Sequence, residues 1–124
     1  MRQTIDHIDL PARPTSVAAA RRFVERTLRR LGISSREVGT LLTSELVTNA
    51  VLYSDGTITV TVTPTDDDGV RVSVKDDSPR PVRPRDVGID ATSGRGIALV
   101  KRLSRAWGVD DLETGKVVWF ELGR

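Results

Sequence analysis

The fold class predicted is a two-layer α+β sandwich, one mostly antiparallel or mixed sheet with about three helices packed on one face. Three observations carry that expectation. The runs "TITVTVT" and "VRVSVKD" alternate apolar with polar residues and are separated by the turn "DDDG", the pattern of a hairpin with one wet face. Two longer runs, around Val17–Leu31 and Ser35–Leu52, repeat apolar residues at helical spacing. The order is then strand, two helices, two strands, a long irregular stretch, a third helix and two more strands.

Taken in turn, "TIDHIDL" alternates Ile5, His7 and Asp9 against Asp6, Ile8 and Leu10, which predicts an edge strand. His7 is the single histidine and has no cysteine or carboxylate cluster at ligand spacing, so it reads as an exposed strand residue. After Pro11 and Pro14, the residues Val17, Ala20, Phe23, Val24, Thr27, Leu28 and Leu31 recur at helical period, and Gly32 supplies the stop. Ser34 and Glu37 in "SSRE" have the spacing of a capping box. The second helix follows and closes at "SDG", Ser54 to Gly56. Val70, Val72 and Val74 face inward on the strand that returns from the hairpin loop. From Asp77 to Ser93 no regular pattern holds, and Pro79, Pro81 and Pro84 keep that stretch from being helical. A connection of this length in a compact domain predicts a functional loop. "GRGIALVKRLSRA" begins the third helix at Gly94 or Gly96. "WGVDDL" and "KVVWFEL" then form a second hairpin about Glu113-Thr114-Gly115.

The chain of 124 residues suits one domain, 1–124, with one core. No stretch of about 18 apolar residues is present to span a membrane, and no basic-then-apolar leader opens the chain. With no cysteines, disulfides and thiolate metal sites are excluded, which fits a cytoplasmic protein. The net charge is +2. Arg21, Arg22, Arg26, Arg29 and Arg30 cluster on the first helix, but stacking aromatics do not join them. Direct nucleic-acid binding is therefore not expected, and the stripe reads as a solvated face or a surface for an acidic protein partner.

The chemistry centres on "TSELVTNAVLYS". Val38, Leu41, Leu42, Leu46, Leu52 and Tyr53 share an arc of roughly 140° on a helical wheel. Glu45 and Asn49 project into the middle of that arc. An unpaired buried carboxylate costs several kcal/mol, so these groups either make a tertiary polar contact or border an open ligand site. In the second case Asn49 offers a neutral oxygen suited to Mg²⁺, and Glu45, one turn earlier, is a candidate proton acceptor. Asp76 ends a strand, where a carboxylate accepts hydrogen bonds from a ligand such as the exocyclic amine of a base or simply closes a turn. Gly94 and Gly96 flank Arg95 at a helix start. Backbone N–H groups and the helix dipole there favour phosphate, although a plain glycine-rich turn has the same sequence.

In their order, Glu45 and Asn49, then Asp76, then Gly94-x-Gly96, together with "SELVTNAV", "VKDDSPRP", "GRGIALV" and "GKVVWFEL", these motifs resemble the GHKL (Bergerat-fold) ATP-binding superfamily. Within it the chain is similar to small RsbW-like anti-sigma-factor serine-protein kinases of actinobacterial type. That resemblance covers nearly the whole chain. It implies that Asn49 binds Mg²⁺, Glu45 is the catalytic base and Asp76 receives the adenine amino group. Residues 77–93 would be an ATP lid, with Gly94 and Gly96 letting it fold over the phosphates. Ser78, Arg95, Ile97 and Lys116 are expected to complete the nucleotide site. The implied cofactors are ATP and Mg²⁺. The implied partners are a sigma factor and an anti-anti-sigma (STAS-type) antagonist phosphorylated on serine, and such kinases usually form homodimers.

The first glycine box departs from the superfamily's Asp-x-Gly-x-Gly, since Asp76 is followed by Asp77, Ser78, Pro79 and Arg80. Pro79 stiffens what glycine would loosen. Tyr53 stands where relatives often carry histidine. Besides the kinase, two further readings are a module in which ATP orders a partner surface without phosphotransfer, and a decayed pocket that only binds partners. Val47 and Val51 make the second helix apolar on the side away from Glu45 as well, so it packs on two sides.

Overall fold

The computed structural model describes residues 5–54, 56–77 and 95–124. Eight elements follow in the expected order: β1 Asp6–Pro11, α1 Thr15–Arg30, α2 Arg36–Tyr53, β2 Thr57–Pro64, β3 Val70–Asp76, α3 Arg95–Leu103, β4 Ala106–Asp111 and β5 Lys116–Leu122. The sheet has the order β1-β2-β3-β5-β4, and every neighbouring pair runs antiparallel. Of "antiparallel or mixed", the antiparallel form is the one adopted. β1 lies at one edge, as its polar alternation predicts.

Period-two patterning separates the two faces. Ile58, Val60 and Val62 of β2, Val70, Val72 and Val74 of β3, and Val118, Phe120 and Leu122 of β5 are buried. They meet Ala20, Val24 and Leu28 of α1 and Leu42, Leu46 and Val47 of α2 in one core. Each large side chain buried this way contributes on the order of 1.5–3 kcal/mol before chain entropy is charged against it. The opposite face carries the β2 threonines and Arg71, whose guanidinium stacks 3.8 Å from the Trp119 ring centroid.

Helix α1 ends as predicted, with Gly32 at φ 75° and Ile33 N–H bonded back to the Leu28 carbonyl at 3.0 Å. Two other expectations are corrected. No capping box opens α2: Ser35 is the N-cap and makes no side-chain cap bond. The Ser34 hydroxyl instead donates to the Arg124 carbonyl at 2.7 Å, because the end of the chain passes beside the start of α2 and competes for it. The buried face of α2 is also turned from the expected arc. It consists of Gly39, Leu42, Thr43, Leu46, Val47 and Ala50, centred roughly 130° around the helix from Glu45. Leu41, Leu52 and Tyr53 are exposed. The small residues win because α1 approaches so closely: a Cβ at Gly39 would stand 2.5 Å from Leu28 Cδ1.

Candidate active site

That rotation places Glu45 and Asn49 at the margin of the core, half-buried, and not at its centre. What lies against them is the start of α3. Gly96 is buried, and a Cβ there would sit 3.3 Å from Asn49 Nδ2 and 3.3 Å from Glu45 Oε1. The glycine therefore lets a helix start rest directly on the two polar side chains. Neither Glu45 nor Asn49 makes a side-chain hydrogen bond or ion pair among the described residues. A carboxylate and an amide are thus presented beside the first-turn N–H groups of a helix, where negative charge is favoured. Ile97, the next residue, is half-buried and packs against the core, which anchors that helix start.

Asp76 occupies the last position of β3 and is 7% exposed. It lies opposite Ile58 on β2 and opposite Lys116 on β5, so Lys116 shares its face of the sheet. The Ser54 hydroxyl, at the C-terminal end of α2, donates to Asp76 Oδ1. Asn49 and Ser54 are five residues apart, roughly 7–8 Å along a helix axis, so α2 itself brings the Asn49 and Asp76 neighbourhoods to one end of the molecule. Asp77 turns away: its Oδ1 accepts the Thr57 N–H at 2.6 Å and its own N–H bonds the Thr57 carbonyl at 3.2 Å. The pair Asp76-Asp77 is therefore divided between a buried site and a strand clasp.

Two residues of this site were read only as turn formers in the sequence. Ser54 marked the stop of α2, yet its hydroxyl holds Asp76. Gly115 marked the second hairpin, yet it is buried with φ +86°, and a Cβ there would fall inside the Asp76 carbonyl oxygen. Its signal was a glycine directly before a strand, a residue type that permits close backbone approach. Ser78, Gly94 and the expected lid, apart from Asp77, lie outside the described residues, as does the Arg95 side chain.

The fold is that of an ATPase-type domain. The family model of the histidine kinase-like ATPase domain matches residues 10–122, and the chain belongs to that family. No curated protein matches it significantly. Among solved structures, it is similar to the RsbU and RsbW domains of Rv1364c from Mycobacterium tuberculosis, at 20% identity and TM-score 0.72, over 97% of this chain and 32% of that one. It is also similar to the blue-light activated histidine kinase EL346 of Erythrobacter litoralis, at 22% identity and TM-score 0.59, over 73% of this chain and 32% of that one. The histidine kinase domain of that protein gives 19% identity and TM-score 0.60, over 91% of this chain and 61% of that one. At these identities the likeness is one of fold. The chain spans about a third of the first two structures and under two thirds of the last. No helix among the described residues is long and apolar enough to cross a membrane.

Proposed function

We propose that the chain binds Mg-ATP between α2, α3 and the β3 end, and transfers the terminal phosphoryl group to a serine or threonine of a partner protein. The observation that carries this reading is Gly96 seated on Glu45 and Asn49. A phosphate-favouring helix start is thereby joined to one candidate base and one neutral oxygen ligand. Among the described residues no group of three or more His, Cys, Asp or Glu side chains forms a metal site. A lone Asn49 fits Mg²⁺, which keeps several waters and takes its remaining oxygens from phosphate. Bound there, the ion would neutralise charge building on the phosphates.

In this mechanism Asp76 accepts the amino group of adenine and sets the depth of the nucleotide. Asn49 orients the phosphate end, and Gly94, Arg95 and Gly96 offer N–H groups to it. Glu45 takes the proton from the attacking hydroxyl, the positioned-base role. The regulatory setting supported by the RsbW-type resemblance is partner switching. In one state the protein sequesters a sigma factor, and in the other it phosphorylates a STAS-type antagonist.

Thermal unfolding with and without Mg-ATP tests the reading. At about 100 times its dissociation constant a ligand adds roughly 2.7 kcal/mol, a rise of several degrees for a domain of this size. The rise is expected for the wild type and absent for Asp76→Ala. A wild type unmoved by millimolar Mg-ATP would refute nucleotide binding and with it the kinase.

A further inference from the structure

Among the described residues the sheet ends on two free edges, β1 and β4, and they are built differently. β1 closes on Pro11, its Asp6 is paired with Arg30 at 2.8 Å, and its Asp9 accepts the Thr59 hydroxyl at 2.7 Å. Proline and charged side chains are how natural sheet edges are blunted. β4 has neither proline nor lysine, and Val109 in its middle is 46% exposed. The Leu112 N–H bonds the Gly115 carbonyl at 3.0 Å, which continues the β4–β5 register in which Asp111 lies opposite Lys116. Bonded and unbonded pairs alternate along an antiparallel ladder. Ala106, Gly108 and Asp110 therefore bond to β5, while Trp107, Val109 and Asp111 turn their N–H and C=O groups outward. The side chains of those three share the helix-covered face, where Trp107 packs against the core. Lys101 of α3 stands over the Trp107 ring, 5.9 Å from its centroid. Neither Lys101 nor Asp111 makes an ion pair among the described residues.

We propose that β4 is the pairing edge for a second copy of this chain, the two β4 strands running antiparallel about Val109 and joining both sheets into one. In that register Val109 faces the partner's Val109, and Trp107 faces the partner's Asp111. All three outward N–H and C=O pairs of each strand then find mates. Lys101, held over Trp107, meets the carboxylate of the partner's Asp111, and the two-fold axis makes the same contact again. On the other face Leu112, 40% exposed, lies opposite the partner's Ala106. Neighbouring registers lose these gains. Centring the pair on Asp110 opposes that carboxylate to itself. Centring it on Gly108 sets Asp111 against Arg105, whose N–H is already bonded to the Glu121 carbonyl at 2.9 Å. The surface is chosen by the chemistry of the edge and needs no nucleotide.

Sedimentation velocity of the full chain at rising concentration, without nucleotide, tests this. A dimer with a dissociation constant of about 10–100 µM is expected, because an edge contact buries less than a standard interface. Val109→Pro deletes the central outward donor and leaves the β4–β5 bonds in place, so association should weaken by about tenfold or more. Lys101→Glu sets a carboxylate against the partner's Asp111 at both contacts and should weaken it about tenfold. An equimolar mixture of Lys101→Glu and Asp111→Lys chains should recover it, since both contacts again join opposite charges. A mixture no tighter than either variant alone would overturn the register. Hydrogen exchange on the wild type supplies a measurement that needs no variant. As concentration rises, the amides of Trp107, Val109 and Asp111 should slow, while those of Gly108 and Asp110, already bonded to β5, should change little. A chain monomeric at millimolar concentration, a Val109→Pro variant that dimerises like the wild type, or protection gained at β1 in place of β4 would each sink the proposal.

Discussion

Helix α2 takes part in two close contacts made at glycines, and their chemistry is opposite. On one side Gly39 of α2 meets Leu28 of α1, with Leu122 of β5 3.4 Å from where a Cβ would be. On the other, Gly96 of α3 meets Glu45 and Asn49. The first contact is sealed: Leu28 is fully buried, and dispersion and water exclusion account for its tightness. The second is half-open and polar, set beside Ile97 where the start of α3 packs on the core. On the function proposed above, it is the side of α2 that faces the nucleotide.

The sharpest way to break the comparison is to change chemistry on the open side without changing shape. Glu45→Gln should leave the unfolding midpoint and the Mg-ATP shift close to those of the wild type. Phosphotransfer to the partner serine should fall by about a hundredfold or more, the usual weight of a positioned base. Unaltered transfer in single-turnover assays would remove Glu45 from the mechanism, and a large loss of stability would make it a structural residue like Leu28.

The two glycines give the next effects. Gly39→Ala should destabilise the fold by about 1–2 kcal/mol, because overpacking against Leu28 outweighs the gain in helix propensity. Nucleotide affinity should barely respond. Gly96→Ala should do the reverse. Its Cβ at 3.3 Å displaces the flexible ends of two half-buried side chains, so stability should shift by less than about 1 kcal/mol, while the rise in unfolding temperature with Mg-ATP shrinks. Denaturant titrations of both variants with and without ligand read the two quantities together. Equal ligand effects in both would erase the distinction between core and site.

Much of this was legible in the sequence because it depends on local pattern. Alternation in "TITVTVT" and "VRVSVKD", the helical period of Val17 to Leu31 and the turns at Gly32, Asp66 to Gly69 and Gly115 each rest on a few adjacent residues. Glu45, Asn49 and Asp76 were legible as polar residues in places where apolar ones or plain turns would do. What was not legible depends on long-range closure. Nothing local says that Ser54 and Gly115 converge on Asp76, since residues 54, 76 and 115 meet only when β3, β5 and the end of α2 are assembled. The facing of α2 escaped for a related reason. With Leu41, Leu52 and Tyr53 on one side and Val47 and Ala50 on another, apolarity alone does not choose. The choice is made by steric closeness to α1, which favours small residues. The Ser34 capping box failed likewise, against a competitor about ninety residues away in sequence.

The smallest effect comes from a polar cluster that is closed upon itself, the counter-case to Glu45 and Asn49. At the β2–β3 turn, Arg105 forks onto Asp67, at 2.7 Å to Oδ2 and 2.9 Å to Oδ1, and Asp67 also accepts from the Thr65 hydroxyl at 2.6 Å. These hydrogen bonds, Arg105 foremost, hold the Asp67 carboxyl well below its ordinary value of 3.8. A carboxyl group lowered in the folded state stabilises the protein above its unfolded value, and that contribution disappears as pH falls through the folded one. Asp67→Asn should therefore flatten the acid limb of stability below about pH 4 while changing neutral stability little, because the pair lies at the surface and is screened by solvent. Unfolding midpoints between about pH 7 and pH 2, at low and high salt, decide it. A wild type and variant that lose stability in parallel would show the cluster to be inert. A divergence that salt abolishes would show polar groups spent on one another at the surface, which is what Glu45 and Asn49, half-open beneath Gly96, conspicuously are not.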